Sequence, residues 1–114
     1  MLSKDRKITR ALFKRLNGRG LTYHSPHLFL SIYKNEKQEK SRFTIIISKK
    51  VAKNAVSRNK IRRRFYSIIT KNLLNIENGY MCIINCKKQS NSLNYKEIEE
   101  QILILLTKAG LLIK

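Results

Sequence analysis

A long basic segment with a helical apolar stripe constrains this fold more than any other feature of the sequence. No Asp or Glu occurs between Lys40 and Glu77, and half of the sixteen residues from Lys49 to Arg64 are Lys or Arg. Apolar residues recur through the segment at a helical period, which predicts an amphipathic helix packed on a core. The helix is therefore expected to be buried on one side and cationic on the other, and to end by Asn78-Gly79. The residues of the stripe are Ile61, Phe65, Ile68, Ile69, Leu73 and Ile76.

Three apolar runs around this helix predict strands, and the second of these runs is β-branched as well. They are Leu28 to Tyr33, Phe43 to Ser48 and Tyr80 to Cys86. His24 to His27 encloses a Ser-Pro pair and predicts a turn. The polar residues Asn35 to Lys40 predict a hairpin connection between the first two of these strands.

Two further helices are predicted towards the ends of the chain. The first runs from about Thr9, as its N-cap, to Asn17, and the last runs from Tyr95 to Ala109. This order of elements predicts an α+β fold, a two-layer sandwich of a small mixed sheet and three helices. We expect a single domain over residues 1–114.

The excess of positive charge indicates a polyanionic partner. Twenty-five Lys and Arg residues face seven Asp and Glu residues, which gives a net charge of +18. Self-repulsion of this size opposes compact folding, and RNA, DNA or an anionic membrane surface would relieve it. The most apolar stretch, Ile102 to Ile113, is too short to span a bilayer and is interrupted by Lys108. The N-terminus has no secretory h-region, so we expect a cytoplasmic protein.

The basic helix has the pattern of an RNA-binding surface. Helical spacing places Arg58, Arg62 and Tyr66 on one line, and Asn59 and Arg63 on a neighbouring line. A guanidinium group can pair with two phosphate oxygens, and an Asn side chain can bind a sugar or a base edge. We predict RNA binding by these residues and by the lysines before and among them. The full set is Lys49, Lys50, Lys53, Arg58, Asn59, Lys60, Arg62 and Arg63.

The titratable residues predict neither a catalytic site nor a metal site. The seven acids form no recognisable dyad that would hold metal ions, and the two histidines flank a turn. His24, His27, Cys82 and Cys86 could together suggest a four-ligand zinc site, but their order and spacing match no zinc finger. Small buried thiols are the simpler interpretation of the cysteines. We therefore expect no catalytic residue and no metal ligand in the chain.

The central segment resembles the signature of the bacterial ribonuclease P protein family. That signature begins with Ser or Ala followed by Lys-Lys at a strand end and continues on the helix with Arg-Asn-Arg, an aliphatic residue and Lys-Arg. Here residues 48–63 read SKKVAKNAVSRNKIRR. The chain departs from the family pattern at four positions. Lys60 and Tyr66 stand where Arg is usual, Arg64 where an apolar residue is common, and Asn17 where an aromatic residue is usual.

The resemblance implies a function and a rarer form of the fold. It implies that the basic helix is the crossover of a left-handed βαβ unit and contacts the catalytic RNA subunit of ribonuclease P. It also implies that a groove between the first helix and the sheet binds the 5′ leader of precursor tRNA. RNA would then catalyse removal of the leader, with Mg²⁺ bound mainly by RNA. Phe13 matches the family position in that groove, and Phe29 and Tyr33 are further candidates.

Three other classes of protein compete with this interpretation. A ribosomal or assembly protein would also bind structured RNA and can have the same βαβ fold. A DNA-binding regulator needs a helix joined by a tight turn to the recognition helix, whereas the strand at 43–48 precedes this one. A membrane-surface helix would leave its apolar stripe free for lipid, whereas this stripe is expected inside a domain.

Overall fold

The computed structural model describes residues 4–14, 16, 20–34, 40–87 and 93–113. Short 3₁₀ turns cover Lys4–Arg6 and Leu73–Asn75. The helices are α1 (Arg10–Lys14), α2 (Ala55–Asn72) and α3 (Tyr95–Lys108). The strands are β1 (Leu21–His24), β2 (Leu28–Lys34), β3 (Arg42–Ile46) and β4 (Tyr80–Cys86).

The four strands form one mixed sheet in the order β1-β2-β4-β3. β1 and β2 are antiparallel, as are β2 and β4, whereas β3 and β4 are parallel. β3, α2 and β4 therefore form a βαβ unit with adjacent strands, and the predicted α+β fold is confirmed. The left hand of its crossover stays a prediction.

The hairpin predicted between β2 and β3 is wrong, because β4 lies between these strands. β4 is buried on both of its faces from Met81 to Ile84, so it occupies the middle of the sheet and pairs with a strand on each side. The polar composition of residues 35–40 predicts a connection but does not specify which strands pair on either side of it, and residues 35–39 themselves lie outside the described part of the chain.

The sequence patterns missed β1, a short and mostly exposed edge strand. The predicted turn after it is confirmed, although His24 itself ends β1. The backbone N–H of Ser25 donates to the carbonyl of Leu28 at 2.9 Å, which closes the β1–β2 hairpin.

α1 and α3 begin close to their predicted N-termini. Thr9 caps α1, because its Oγ1 accepts from the backbone N–H of Leu12 at 3.2 Å. α3 begins with a capping box between Asn94 and Glu97 and runs as predicted, apart from Ala109, which is its C-cap. The first helix is shorter than predicted, since α1 covers Arg10–Lys14 and Leu16 is not helical; Arg15 and Asn17 lie outside the described residues.

α2 covers less of the basic segment than its composition suggests. Residues 49–53 form a turn and loop ahead of the helix, and Asn54 is the N-cap, whose Oδ1 accepts from the N–H of Ser57 at 2.8 Å. At the other end α2 stops at Asn72. Ile76 is buried as predicted, but in extended backbone that pairs with Leu112.

The two faces of the sheet are covered differently. Alternate residues of β2, β3 and β4 pack with α2 and α3 in the main core. The opposite face, here called the open face, carries a smaller cluster with Leu12 and Leu16 packed against it, so α1 lies on that side. Among the described residues, no helix is both long enough and apolar enough to cross a bilayer. The open-face cluster consists of Ile8, Met81 and Ile83.

Candidate RNA interface

The orientation of α2 is fixed by its buried side. Ile61 is 6% exposed and Phe65 is fully buried, so the predicted anchoring of the helix through these two residues is confirmed. Asn59, Lys60 and Arg63 are consequently exposed to solvent. Residues nearer to the core on either side of the helix are half-buried, namely Arg58, Arg62, Arg64 and Tyr66. We call Arg58, Asn59, Arg62, Arg63 and Tyr66 the motif face.

Arg58 also has a structural role, which the sequence reasoning did not foresee. Its Nη1 donates to the carbonyl oxygens of Ala52 at 3.0 Å and of Lys53 at 2.8 Å. The guanidinium therefore ties the start of α2 to the loop before it. Because a guanidinium has five N–H donors, these bonds to one nitrogen are compatible with a further contact to phosphate.

Asn59 and Arg62 act as a pair on the surface of the helix. Nη1 of Arg62 donates to Oδ1 of Asn59 at 2.8 Å, as their spacing of three residues allows. This bond orients the Asn59 amide so that its NH₂ group remains a donor for an RNA acceptor. The pair thus presents N–H groups, which match phosphate and sugar oxygens.

Lys7 extends the motif face beyond α2. Its Nζ lies 5.1 Å from the centre of the Tyr66 ring, within the range of a cation–π contact. Sequence reasoning missed Lys7, because a contact between residues 59 positions apart leaves no local pattern. A cation therefore lies beside Tyr66, the position at which the family pattern usually has Arg.

The three predicted lysines before α2 are exposed on a well-anchored loop. Val51 and Ala52 are 4% and 8% exposed, and their N–H groups both donate to the carbonyl of Ser48, at 3.0 and 3.2 Å. Their burial fixes the loop against the core and directs the charged residues outward. The exposed lysines are Lys49, Lys50 and Lys53.

A depression of about 520 Å³ lies between this loop and α2, and we call it the loop pocket. Arg64, which the sequence analysis did not include among the binding residues, is part of it. Its position follows from the loop turning back along the helix, which no sequence spacing shows. The lining residues are Lys50, Val51, Ala52, Lys53, Ser57, Lys60, Ile61 and Arg64.

The open face brings two of the predicted leader-binding aromatics onto one surface. Phe29 and Tyr33 both lie on this face of β2, half-buried and about 13 Å apart at the rise of a strand. The Phe29 ring is 5.5 Å from the ring of His24, and Tyr33 packs against the cluster below α1. Phe13 belongs to α1, but its side chain lies outside the part of the chain that the structure describes.

Strand register adds polar and apolar neighbours to this surface that the sequence analysis did not single out. His24 pairs with Phe29, Phe29 with Asn85, and Asn85 with Ile46. These four residues therefore form one row across the sheet. A second row consists of Thr22, Ser31, Ile83 and Thr44. Only the sheet order, with β4 in the middle, brings these residues together.

The residues of the possible zinc site do not converge. Cys82 is fully buried on the core side of β4, and burial raises the pKa of its thiol to about 12. His24 lies on the opposite face, and Nδ1 of His27 is hydrogen-bonded to Nε2 of Gln101 at 2.8 Å. Within the described ranges, no three His, Cys, Asp or Glu side chains are grouped so that they could hold a metal ion.

Comparison with known proteins agrees with the fold and the motif. The family model for Ribonuclease P matches residues 1–110. The ribonuclease P protein component of Clostridium novyi is 33% identical over 112 residues, which cover 96% of this chain and 98% of that protein. That of Microcystis aeruginosa is 34% identical over 103 residues, which cover 88% of this chain and 86% of that protein.

Solved structures share the same architecture. The RNase P protein from Staphylococcus aureus matches with a TM-score of 0.79 at 23% identity, over 100% of this chain and 97% of that one. The RNase P protein from Thermotoga maritima matches with a TM-score of 0.72 at 21% identity, over 95% and 96%. Since the family model and the relatives span nearly the whole sequence, this chain belongs to the ribonuclease P protein family, the protein component of a tRNA-processing ribonucleoprotein.

Proposed function

We propose that this protein binds the catalytic RNA of ribonuclease P through the motif face and the loop before α2. It binds the 5′ leader of precursor tRNA on the open face beside α1. The observation that carries the first part is the orientation of α2. Burial of Ile61 and Phe65 leaves a rigid row of cationic and amide groups at the surface. The guanidinium groups of Arg58 and Arg62 are also held by intramolecular hydrogen bonds, so these two side chains lose less entropy when they bind phosphates.

The chain is proposed to position RNA rather than to cut it. The described residues contain no cluster of carboxylates or imidazoles that could hold a catalytic metal ion. Cleavage is therefore assigned to the RNA subunit, and Mg²⁺ is assigned mainly to RNA phosphates. The contribution of the protein is then to lower the repulsion between two polyanions and to align the substrate.

The leader is proposed to stack on the aromatic residues of the open face. Single-stranded RNA binds by stacking its bases on aromatic rings beside a cationic track, with about 1–3 kcal/mol per stacked base. Phe29 and Tyr33 are half-buried, so each side chain is partly packed against its neighbours and partly accessible to a base. Phe13 from α1 completes the proposed set.

Reconstitution tests the assembly half of this proposal. The protein is combined with a bacterial ribonuclease P RNA at low Mg²⁺, and leader cleavage is measured under single-turnover conditions. We expect the protein to stimulate cleavage. We expect Arg63→Ala, which removes an exposed cation, to require more protein for half-maximal stimulation. Absence of any stimulation would contradict the proposal and favour a general RNA-assembly role.

A pair of aromatic variants tests the leader half. Phe29→Leu should weaken holoenzyme binding to precursor tRNA but leave binding of leaderless tRNA unchanged. Tyr95→Leu is the matched control, because Tyr95 is an exposed aromatic residue at the start of α3. Equal losses with both RNAs, or equal losses with both variants, would contradict the proposed leader site.

A further inference from the structure

The loop pocket and the motif face lie on different sides of α2. At 3.6 residues per turn, Arg62 and Arg64 are separated by roughly 160° around α2. Both are half-buried, as expected for residues on opposite flanks of a helix that packs on a core. The motif face follows the flank of Arg62, on which Lys7 approaches Tyr66. The pocket lies on the flank of Arg64, the same side of α2 from which Ser67 and Lys71 contact Tyr95 and Glu99 of α3.

Positive charge is concentrated in the pocket without local compensation. Four cationic side chains line it, and no acid is among the lining residues. The ion pairs of Lys40 with Asp5 and of Lys71 with Glu99 involve none of these four. Concave surfaces with one sign of charge concentrate the electrostatic potential, which attracts an anion. The four cations are Lys50, Lys53, Lys60 and Arg64.

The floor and one wall of the pocket suit a phosphate ester. Val51, Ala52 and Ile61 are almost fully buried and form an apolar base. Ser57 adds a hydroxyl group that can donate to an oxygen. A volume of about 520 Å³ is larger than one phosphate group needs and is within the size range of small-ligand sites. A backbone phosphate with its attached sugar therefore fits this site.

We propose that the loop pocket binds backbone phosphate of folded RNA independently of the motif face, so that α2 holds two RNA segments, one on each flank. This inference rests on the proposed function and extends it to a second contact. Arg64 stands where the family pattern usually has an apolar residue. Its guanidinium group can pair with two phosphate oxygens at once.

Neutralising single cations tests the second contact. Arg64→Gln and Lys53→Gln each remove one charge from the pocket. Lys96→Gln removes one charge from an exposed position on α3 and is the control. Affinity for the ribonuclease P RNA is measured from 50 to 200 mM salt. For each pocket variant we expect about a 3- to 10-fold weaker affinity and a slope of log affinity against log salt reduced by about 0.7–0.9. For the control we expect no change in either quantity.

Combination with Arg62→Gln separates this inference from the proposed function. If the flanks bind separate phosphates, the fold-losses of Arg62→Gln and Arg64→Gln multiply in the double variant. If Arg62→Gln and Lys53→Gln weaken binding and Arg64→Gln matches the control, the second site is refuted and the proposed function, which assigns binding to the motif face and the loop lysines, stands. If Arg62→Gln also has no effect, the proposed function itself is refuted.

The source of the phosphate is resolved by two further titrations. Loss of affinity in binding the isolated RNA subunit assigns the pocket to that RNA. Loss only in binding precursor tRNA to the assembled holoenzyme assigns it to the substrate. Free ATP is the third probe, followed by the backbone amide NMR signals of Lys53, Ser57 and Lys60. Shifts with ATP, combined with unchanged RNA binding by both pocket variants, would overturn the RNA assignment. Melting temperatures of all variants show whether each is folded.

Discussion

Replacing Arg58 by Gln should destabilise the free protein, whereas the same change at Arg62 should not. Arg58 donates to two backbone carbonyls ahead of α2, of Ala52 in a partly buried position and of Lys53 in an exposed one. Gln is too short to reach either. Hydrogen bonds from a charged donor contribute about 1.5–3 kcal/mol when protected and less when water can replace them. We therefore expect a loss of about 1.5–3 kcal/mol in the free energy of unfolding.

Arg62 provides the matched comparison four residues further along the helix. Its described bond goes to the Asn59 side chain at the surface, where water can replace it. Surface substitutions of this kind usually change stability by less than about 0.5 kcal/mol. Circular dichroism melts of the two free variants should therefore differ by about 5–15 °C for a chain of this length. Equal melting temperatures would refute the structural role assigned to Arg58.

The same pair of variants should differ in RNA binding. Arg62→Gln removes one proposed phosphate contact, so its salt slope should decrease by about 0.7–0.9. Arg58→Gln removes a proposed contact and also loosens the loop that carries Lys53, so its loss of affinity should be larger. A smaller loss for Arg58→Gln would show that the loop does not depend on this guanidinium for binding.

Three further predictions concern contacts outside α2. Gln101→Leu removes the hydrogen bonds that hold the β1–β2 turn on α3. In urea titrations it should lower the free energy of unfolding by about 2–4 kcal/mol, and a loss below about 0.5 kcal/mol would contradict this. Gly20→Ala would place a Cβ 2.7 Å from Cζ of Tyr33, so it should lower the free energy of unfolding by about 1–3 kcal/mol. Because Tyr33 must move to relieve this clash, the variant should also bind leader-bearing precursor more weakly. Unchanged affinity would argue against Tyr33 as a leader contact. Burial raises the pKa of Cys82 from 9.0 to about 12, so the folded protein favours the protonated thiol. The stability that this thiol contributes is complete below pH 9 and decreases between pH 9 and 12, by at most about 1.4 kcal/mol per pH unit. The decrease should be smaller in Cys82→Ala, and identical pH profiles of the two proteins would contradict the effect.

Local sequence patterns predicted most of the secondary structure and which side of the basic helix is buried. The apolar stripe through Ile61 and Phe65 is a short-range signal, and the structure buries both residues. The apolar run at 80–86 likewise becomes β4, because a strand buried on both faces needs nearly continuous apolar residues. Each of these signals depends on residues within one element.

Features that depend on pairing between distant segments could not be predicted in this way. The position of β4 between β2 and β3 depends on register, which the polar connection at 35–40 does not encode. β1 was missed because an edge strand exposed on most positions has little apolar alternation. The loop bonds of Arg58 and the inclusion of Arg64 in the pocket both follow from how residues 49–53 fold back on α2.

The segment before α1 explains how the two proposed RNA surfaces can act together. The N–H of Ile8 donates to the carbonyl of Phe43 at 3.0 Å, and Lys7 forms a parallel bridge with Phe43, so this segment covers the outer edge of β3. Nη1 of Arg42 in β3 donates to the Lys7 carbonyl at 3.0 Å, while the Lys7 ammonium lies over Tyr66 of the motif face. Cations therefore continue from the open face, around the edge of the sheet, to α2. Because a single strand follows a cationic track over short distances, a leader on the open face would pass next to RNA held by α2.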